Sequence, residues 1–292
     1  MREKIEYWLV KLFLGLAKIA PVSFVYIFFK MLAWLLYYLD SKRRKLTIAN
    51  LSSAFPQMSK KEIEQLSKQV YVGLSKTVAE ILLMFVDRFD IDNAVVNREE
   101  TIEKLESLAK HSSKGIIAMT AHFSNWELLA HFLAKHGFPM LVIGREGNNK
   151  LIEDNITTPF RRKYGNDSAF KSKAMLSMVK RLKKGGNVGI LIDQKVGKQN
   201  SVMVDFFGQK AGTTTSIAFL KQKLDPLVVP FFIARIDDGK YRIIIEEPIE
   251  SEEALTSESV LETMTEQYNQ VMESVIRKYP AQWFWMHNRW RR

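Results

Sequence analysis

A histidine and a glutamate separated by four residues have the types and spacing best suited to acid–base chemistry in this chain. His122 and Glu127 stand where a short apolar run, residues 116–120, gives way to a predicted helix that begins near residue 125. Ligands of open α/β sheets bind beyond the carboxyl ends of the strands. A neutral imidazole placed there can act as a general base, and a carboxylate can fix its tautomer and stabilise the imidazolium ion. His122 is therefore a candidate base, and Glu127 is its candidate partner.

The spacing sets a condition on that pairing. On one continuous helix, side chains five positions apart diverge by about 140°. The two groups can meet only if His122 lies in the turn and Glu127 lies in the first helical turn. Residues 124–127 also read Ser-x-x-Glu, which is a capping-box pattern. On the local pattern alone, Glu127 either supports His122 or holds the helix N-terminus, and both interpretations stay open.

Strand and helix patterns alternate around this motif. The predicted strands are residues 116–120, 140–143, 188–192, 227–234 and 241–245. The predicted helices are residues 59–87, 99–111, 125–136, 149–163, 173–184, 213–223 and 258–279. This alternation predicts an α/β fold in which a mainly parallel sheet is flanked by helices.

The N-terminal segment is strongly apolar. Residues 5–39 contain one acid, and Lys4, Lys11 and Lys18 recur every seven residues, which places them on one helical face. Residues 1–45 are predicted to be a hydrophobic membrane anchor, and residues 46–292 a single catalytic domain. The anchor either spans the bilayer or lies in its interface, while core helices of a soluble domain are the remaining alternative. The basic run at 42–45 favours a cytoplasmic exit and contact with anionic headgroups.

Composition narrows the chemistry. The 292 residues contain no cysteine, which excludes a disulfide scaffold, a cysteine nucleophile and an iron–sulfur cluster. Motifs for P-loop ATPases, dinucleotide oxidoreductases, zincins and α/β-hydrolases do not occur in the sequence. The net charge of +11 indicates an anionic partner, which is nucleic acid, an anionic membrane, a phosphorylated ligand or an acidic protein. Residues 161–198 concentrate this charge, with eleven Lys and Arg against two acids.

The segment His122-Phe123-Ser124-Asn125-Trp126-Glu127 resembles the His-x4-Asp/Glu signature of the glycerolipid acyltransferase superfamily. Its form is most similar to the late acyltransferases of lipid A biosynthesis, the lauroyl/myristoyl transferase family, in which glycine is common at the place of Ser124. Further similar blocks follow in order: Gly144-Arg145 with Asn149 and Glu153, the turn 185–186 leading to Asp193-Gln194, Phe206-Phe207-Gly208 with Ala211, the strand 228–230, and the Trp-rich ending 283–290. In the second block, Lys150 stands where the family has proline.

The resemblance implies a fold like that of glycerol-3-phosphate acyltransferase and transfer of an acyl chain from an acyl carrier protein thioester to a hydroxyl of a lipid A precursor. His122 would take the hydroxyl proton, Glu127 would orient His122, and Arg145 would stabilise the oxyanion. Asp193 would fix Arg145 or another basic group. No acyl-enzyme, cofactor, metal or nucleotide is implied. The candidate substrate-binding residues are Asn125, Asn149, Arg161, Arg162, Asp193, Gln194, Phe206, Phe207 and Gly208.

The implied partners are acyl carrier protein, or coenzyme A as the thioester carrier, a lipid A precursor and an anionic membrane. The implied location is the cytoplasmic face of a bacterial inner membrane. Three alternatives stay open: an acyltransferase for another acceptor, such as a phosphatidylinositol mannoside or a lysophospholipid; a non-catalytic membrane-bound binding protein; and a nucleic-acid-binding protein. No nucleic-acid-binding motif is visible in the sequence to favour the last.

Overall fold

A mostly parallel sheet forms the centre of the computed structural model, which describes residues 1–144, 147–170, 174–197, 200–250 and 258–290. The strands are β1 (Ile116–Thr120), β2 (Met140–Gly144), β3 (Asp167–Phe170), β4 (Asn187–Leu191), β5 (Ser201–Phe206), β6 (Gln209–Thr214), β7 (Leu227–Asp237) and β8 (Lys240–Ile245). Within the described residues, six of them form one sheet in the order β3-β2-β4-β1-β7-β8. In this sheet, β3, β2, β4, β1 and β7 run parallel to one another, and β8 is antiparallel to β7. The predicted α/β fold with a mainly parallel sheet is confirmed.

Helices cover the sheet. They are α1 (Arg2–Ile19), α2 (Val22–Leu39), α3 (Ser41–Ala54), α4 (Lys60–Phe85), α5 (Ile91–Ala94), α6 (Arg98–His111), α7 (Trp126–Lys135), α8 (Lys150–Ile152), α9 (Thr158–Arg162), α10 (Ala174–Leu182), α11 (Ser216–Leu224) and α12 (Glu258–Lys278). A π-helical segment, Glu153–Thr157, joins α8 to α9. Because helices lie against the sheet, the first four residues of β1 are fully buried, as expected for a parallel strand covered on both faces.

Two strand regions were missed by the sequence patterns. β3 is short and polar at its start, so it gives no apolar run. β5 and β6 form an antiparallel hairpin whose two-residue turn is Phe207-Gly208. Both turn residues have positive φ, at 57° and 72°, as a type I′ turn requires, but Phe207 does not carry the usual Asn-Gly or Asp-Gly signal. The predicted helix 213–223 begins instead at Ser216, because Thr213 and Thr214 complete β6.

The long helix α4 is the scaffold on which the N-terminal helices lie. It begins with a capping box, since Ser59 accepts from the Glu62 backbone N–H and Glu62 accepts from that of Ser59. Helix α2 runs antiparallel along α4. Near one end the Tyr26 hydroxyl donates to Glu80, and near the other the hydroxyls of Tyr37 and Ser67 lie 3.1 Å apart.

Helices α1 and α2 are separated at Pro21, and both carry many exposed apolar side chains. Within the described residues, α2 is the helix long and apolar enough to cross a membrane, with about 17% of that span buried. The domain boundary predicted between residues 45 and 46 falls inside α3, which continues to Ala54. The exposed apolar side chains of the pair include Trp8, Leu12, Phe13, Leu16, Phe24, Ile27, Phe28, Met31 and Leu35.

Candidate active site

His122 lies two residues beyond the carboxyl end of β1. The neighbouring strand β4 ends at Leu191, which is in register with Thr120, so the residues after both strands meet at one edge of the sheet. Nδ1 of His122 lies 2.9 Å from Oδ1 of Asp193, and the His122 backbone N–H donates to Oδ2 over 3.0 Å. The structure therefore pairs the predicted base with Asp193, which holds the histidine at both its ring and its backbone.

The carboxylate of Asp193 is buried and fully engaged. Its residue is 2% exposed, and the Trp283 indole N–H donates to Oδ2 over 2.9 Å. Burial raises the pKa of the Asp193 carboxyl, but the charge of His122 and the hydrogen bonds from His122 and Trp283 outweigh burial and hold this pKa below its usual value. Asp193 is therefore ionised at neutral pH.

An ionised carboxylate accepts hydrogen bonds and donates none. The proton of neutral His122 must then sit on Nδ1, which leaves Nε2 as the basic nitrogen. The amide nitrogen of Gln194 lies 3.3 Å from Nε2, and the His122 side chain is 25% exposed. This geometry is that of a general base whose tautomer is fixed by a carboxylate.

Glu127 lies in the first turn of α7, as the pairing hypothesis required, and lines a cavity together with His122. Among the described residues, however, the side chain that hydrogen-bonds the imidazole ring at Nδ1 is Asp193, and no hydrogen bond joins Glu127 to His122. The capping-box interpretation of residues 124–127 also fails. The N-cap is Asn125, whose Oδ1 accepts from the Leu128 backbone N–H over 3.1 Å.

Asn125 was predicted to contact substrate, and the structure places its side chain inside the protein. The residue is fully buried, and its amide nitrogen donates to Glu80 Oε2 over 3.1 Å. Both ends of its side chain are therefore used within the protein. Glu80 is also fully buried and accepts from Arg235 and from the hydroxyls of Tyr26 and Tyr241. This network anchors the start of α7 to α4 and to the sheet.

Ser124 adopts a left-handed backbone conformation, with φ at 50°. Glycine takes this conformation without a steric cost, which accounts for the glycine of similar motifs at this place. The Ser124 backbone N–H donates to the Gln282 carbonyl over 2.7 Å, and its buried hydroxyl finds no partner among the described residues. Phe284 donates its N–H to the His122 carbonyl. The segment after α12 thus holds the catalytic turn from one side.

Two cavities meet at His122 and Trp126. The larger, of about 1000 Å³, lies against β1, β2 and β4, and its floor includes Ala118, Met140 and Gly189. The smaller, of about 440 Å³, lies between α2, α4 and the segment 281–284. Since both cavities share the imidazole, a group bound in one can react with a group bound in the other.

Arg161 and Gln194, both predicted to bind substrate, line the larger cavity. Arg161 is ion-paired with the buried Glu153 over 3.3 Å. Arg162 is exposed, lies outside both cavities and pairs with Asp167 over 2.7 Å. Arg145, the predicted oxyanion residue, lies outside the described residues.

Four other residues predicted to contact substrate pack or hydrogen-bond within the protein or complete a turn. Asn149 caps α8 and donates to the Glu3 carbonyl and to Glu6, each over 2.9 Å, which fastens α1 to this loop. Phe206 and Phe207 are buried in an aromatic cluster, and Gly208 completes the turn of the hairpin. Phe206 stacks on Trp290 at a centroid distance of 5.7 Å and meets Trp283 edge-on at 5.5 Å. The apolar side chains of Phe206 and Phe207 therefore pack within the protein.

Two contributions were missed from the sequence. Trp283, expected to pack, also donates to Asp193. Arg289 is buried and donates to the Gly212 carbonyl over 2.6 Å, and burial lowers its pKa to about 10. The sequence did not indicate the hydrogen-bond partner of Trp283 or of Arg289, because each of these hydrogen bonds joins segments far apart in the chain. Among the described residues, no group of three His, Asp or Glu side chains could hold a metal ion.

Fold and site together define an α/β protein that holds a histidine–carboxylate pair at the carboxyl edge of a parallel sheet. The chain belongs to the bacterial lipid A biosynthesis acyltransferase family, whose sequence model matches residues 1–292. It is 28% identical over 292 residues to the lipid A biosynthesis lauroyltransferase of Escherichia coli K12, covering 98% of this chain and 92% of that protein.

Two further relatives come from the same organism. The palmitoleoyltransferase of lipid A biosynthesis is 24% identical over 254 residues, covering 86% of this chain and 79% of that protein. The myristoyltransferase of lipid A biosynthesis is 23% identical over 249 residues, covering 85% of this chain and 75% of that protein.

Proposed function

We propose that this enzyme transfers a fatty acyl group from a thioester of acyl carrier protein to a hydroxyl group of a lipid A precursor. The observation that carries the proposal is the His122–Asp193 pair, which presents a basic Nε2 at the junction of two cavities. The names of the relatives, all acyltransferases of lipid A biosynthesis, support the acceptor class.

The reaction needs one base and no covalent enzyme intermediate. Nε2 of His122 takes the hydroxyl proton while the hydroxyl oxygen attacks the thioester carbonyl, and Asp193 stabilises the imidazolium ion. The tetrahedral intermediate then collapses, the C–S bond breaks, and the imidazolium returns its proton to the thiolate. Glu127 adds a negative charge to the cavity wall beside the ring. Arg145 remains our candidate donor to the oxyanion.

The larger cavity suits the acyl donor. It is lined by aliphatic side chains and Gly189, together with Lys195 and with Arg161, which is ion-paired with Glu153. An acyl chain fits the floor, and an acidic carrier protein fits a positive mouth within the basic stretch 161–198. A coenzyme A thioester offers the same acyl group and is the alternative donor.

The N-terminal helices support membrane association in an interfacial mode. Tyr26 and Tyr37 tie α2 to α4 near both of its ends, so α2 lies along the domain. Asp238, which pairs with Lys76 of α4, is close enough to Lys30 in the middle of α2 for that charge to help lower the Asp238 pKa, after the larger effect of Lys76. A perpendicular α2 would carry these charges into the bilayer core, which is costly. We therefore propose that α1 and α2 lie in the interface of the inner membrane, with the catalytic domain on its cytoplasmic face.

The test incubates the purified full-length enzyme with a tetraacylated lipid A precursor and a panel of acyl carrier protein and coenzyme A thioesters. Mass spectrometry should detect a precursor carrying one additional ester-linked acyl chain, and the preferred thioester identifies the donor and the chain length. His122→Ala should give no product while melting as the native enzyme does. Transfer to a lysophospholipid or a phosphatidylinositol mannoside, with none to the lipid A precursor, would overturn the acceptor assignment.

A further inference from the structure

The smaller cavity, which we call the α2–α4 cavity, is enclosed by elements of quite different character. Trp34 comes from the apolar helix α2, Gly73 and Thr77 come from α4, and Gln282 and Phe284 come from the segment after α12. His122 lines it as well. The cavity therefore connects the catalytic base with the helix whose exposed face is apolar.

The charged side chains that line the α2–α4 cavity are all cations. They are Lys68, Lys76 and Arg235, and no Asp or Glu of the described chain lines it. Two of the cations have carboxylate partners, since Lys76 pairs with Asp238 and Arg235 pairs with Glu80. Lys68 has no ion pair within the described part of the chain, and it is half-buried in the cavity wall. Its charge is thus available to an anionic ligand.

The position of Lys68 fits a ligand that is anionic at one end and reacts at the other. Along α4, Lys68 precedes Thr77 by nine residues, which is a rise of about 13 Å. The Thr77 hydroxyl donates to the carbonyl of Ser124, two residues from His122. If the phosphate of a ligand binds at Lys68, there is therefore room for a sugar and the first carbons of an acyl chain between that phosphate and Nε2 of His122.

The outer wall of the cavity adjoins the apolar surface of α2. Trp34 stacks on Tyr38 at a centroid distance of 6.1 Å, and the exposed side chains of Met31, Leu35 and Tyr38 continue the same surface. A membrane lipid can pass from such a surface into the cavity with its acyl chains kept on apolar side chains. The larger cavity has its cations, Arg161 and Lys195, on α9 and in the loop after β4, and it does not include any residue of α2.

We propose that the α2–α4 cavity is the acceptor site, where a phosphorylated glycolipid places its hydroxyl at His122 and a phosphate at Lys68. The larger cavity then holds the acyl donor alone, so the two substrates approach the imidazole from opposite sides. This inference rests on the proposed function and adds to it the place and the charge recognition of the acceptor.

The test compares three variants of the full-length enzyme. Lys68→Glu reverses the charge of the available cation. Gly73→Leu fills the cavity from α4, where a Cβ atom would lie 3.5 Å from the Ala281 carbonyl, an ordinary contact; Gly73→Ala is the milder version if the leucine disturbs folding. Lys61→Glu is the matched control, because Lys61 is exposed on the same helix and lines neither cavity.

The Michaelis constants for a bisphosphorylated tetraacyl lipid A precursor and for the acyl carrier protein thioester are measured separately. Lys68→Glu should raise the acceptor KM about tenfold or more, since a lost contact to a charged group has this size. Gly73→Leu should raise the acceptor KM as well, because the leucine takes up space in the cavity, and both variants should leave the donor KM within about twofold. Lys61→Glu should change neither. Equilibrium binding of the precursor to detergent-solubilised enzyme, without donor, should weaken in the same two variants.

A raised donor KM with an unchanged acceptor KM would overturn the assignment of the two cavities while the wild-type transfer reaction still stands. An acceptor KM equal to that of Lys61→Glu, together with unchanged precursor binding, would overturn it as well. If the wild-type enzyme neither acylates nor binds the lipid A precursor, the proposed function itself fails, and the acceptor site falls with it.

Discussion

The imidazole Nδ1 of His122 lies 2.9 Å from the carboxylate Oδ1 of Asp193, although 71 positions separate the two residues in the chain. Each follows a strand of the same parallel sheet, and those strands, β1 and β4, are neighbours. The contact therefore arises from strand order and not from the local motif. It makes Asp193 the carboxylate that is hydrogen-bonded to the His122 ring, where the motif had suggested Glu127.

Replacing Asp193 by asparagine should stop catalysis with little change in substrate binding. An asparagine amide would donate toward Nδ1, which favours the tautomer with its proton on Nε2 and removes the base. In the serine protease triad the corresponding change lowers kcat about 10⁴-fold, and we expect a loss of about 10³-fold or more with KM nearly unchanged. Steady-state kinetics with the lipid A precursor measures both values. A kcat within about tenfold of wild type would show that Asp193 does not set the tautomer.

The same carboxylate should make stability depend on pH in the acid range. Because its pKa is lower in the folded protein than in the unfolded chain, the ionised form stabilises the fold fully above about pH 4, and this contribution is lost as the pH falls through the folded value. The Tm difference between wild type and Asp193→Asn should hold from pH 8 to about 5 and shrink below about 4. The exposed Asp154→Asn serves as the control, with no comparable trend. A difference that persists unchanged at pH 3 would contradict the assignment.

Glu127→Gln should slow the reaction without destabilising the helix. The carboxylate lines the cavity beside His122 and is not part of the helix cap, which Asn125 provides. Loss of its charge removes stabilisation of the developing imidazolium ion, and we expect kcat to fall about 100-fold while Tm stays unchanged. Asn125→Ala is the informative comparison, since loss of a cap costs about 1 kcal/mol of stability. Normal turnover in Glu127→Gln would remove it from the mechanism.

Gly189→Leu should shorten the acyl chain that the enzyme prefers. Gly189 lies in β4 on the wall of the larger cavity, where an added Cβ atom would meet Met140 Sδ at 3.4 Å and Val142 Cγ1 at 3.5 Å. A leucine side chain there takes up space available to the end of an acyl chain. Competition among thioesters of different length, read by mass spectrometry, should shift the product toward shorter chains by a few carbons. Gly73→Leu should leave the distribution unchanged, and an equal shift in both would refute the division of the two cavities.

Ser124→Gly should stabilise the enzyme. It removes a left-handed conformation that costs roughly 1–2 kcal/mol and a buried hydroxyl without a partner among the described residues, against roughly 0.4–1 kcal/mol of added chain entropy. We expect a net gain of about 1 kcal/mol and a Tm higher by a few degrees. Ser124→Ala removes the hydroxyl but keeps a Cβ atom at positive φ, so it should gain less. Equal gains in both variants would show that the buried hydroxyl, and not the left-handed backbone conformation, destabilises the wild-type enzyme.

Much of the fold was readable from periodicity. The strand at 116–120 and the helix that begins beyond it were predicted at nearly the observed bounds, because apolar runs and terminating glycines are local signals. The hairpin of β5 and β6 was not predicted, since its turn contains Phe207 at positive φ, and phenylalanine is not a turn signal. The order of the strands is also invisible locally: β4 lies between β1 and β2 although β2 precedes it in the chain.

The site was readable only in part, for the same reason. Of the residues predicted to act in catalysis or binding, His122, Glu127, Arg161 and Gln194 line the larger cavity. Asn125 and Asn149 look like polar recognition residues in the sequence, yet burial turns both into internal hydrogen-bonding positions. The sequence does not predict that Glu80 is fully buried. The free-energy cost of burying this carboxylate is offset by hydrogen bonds from donors in four separate elements, which no local spacing reveals.

Trp283 donates to Asp193 across 90 positions of chain, a longer separation than the one between Asp193 and His122. Both hydrogen bonds require the closure of a long loop, which costs entropy. The alignment of His122 therefore depends on three distant segments being in place together, and a chain in which any of them is displaced lacks the His122–Asp193–Trp283 arrangement.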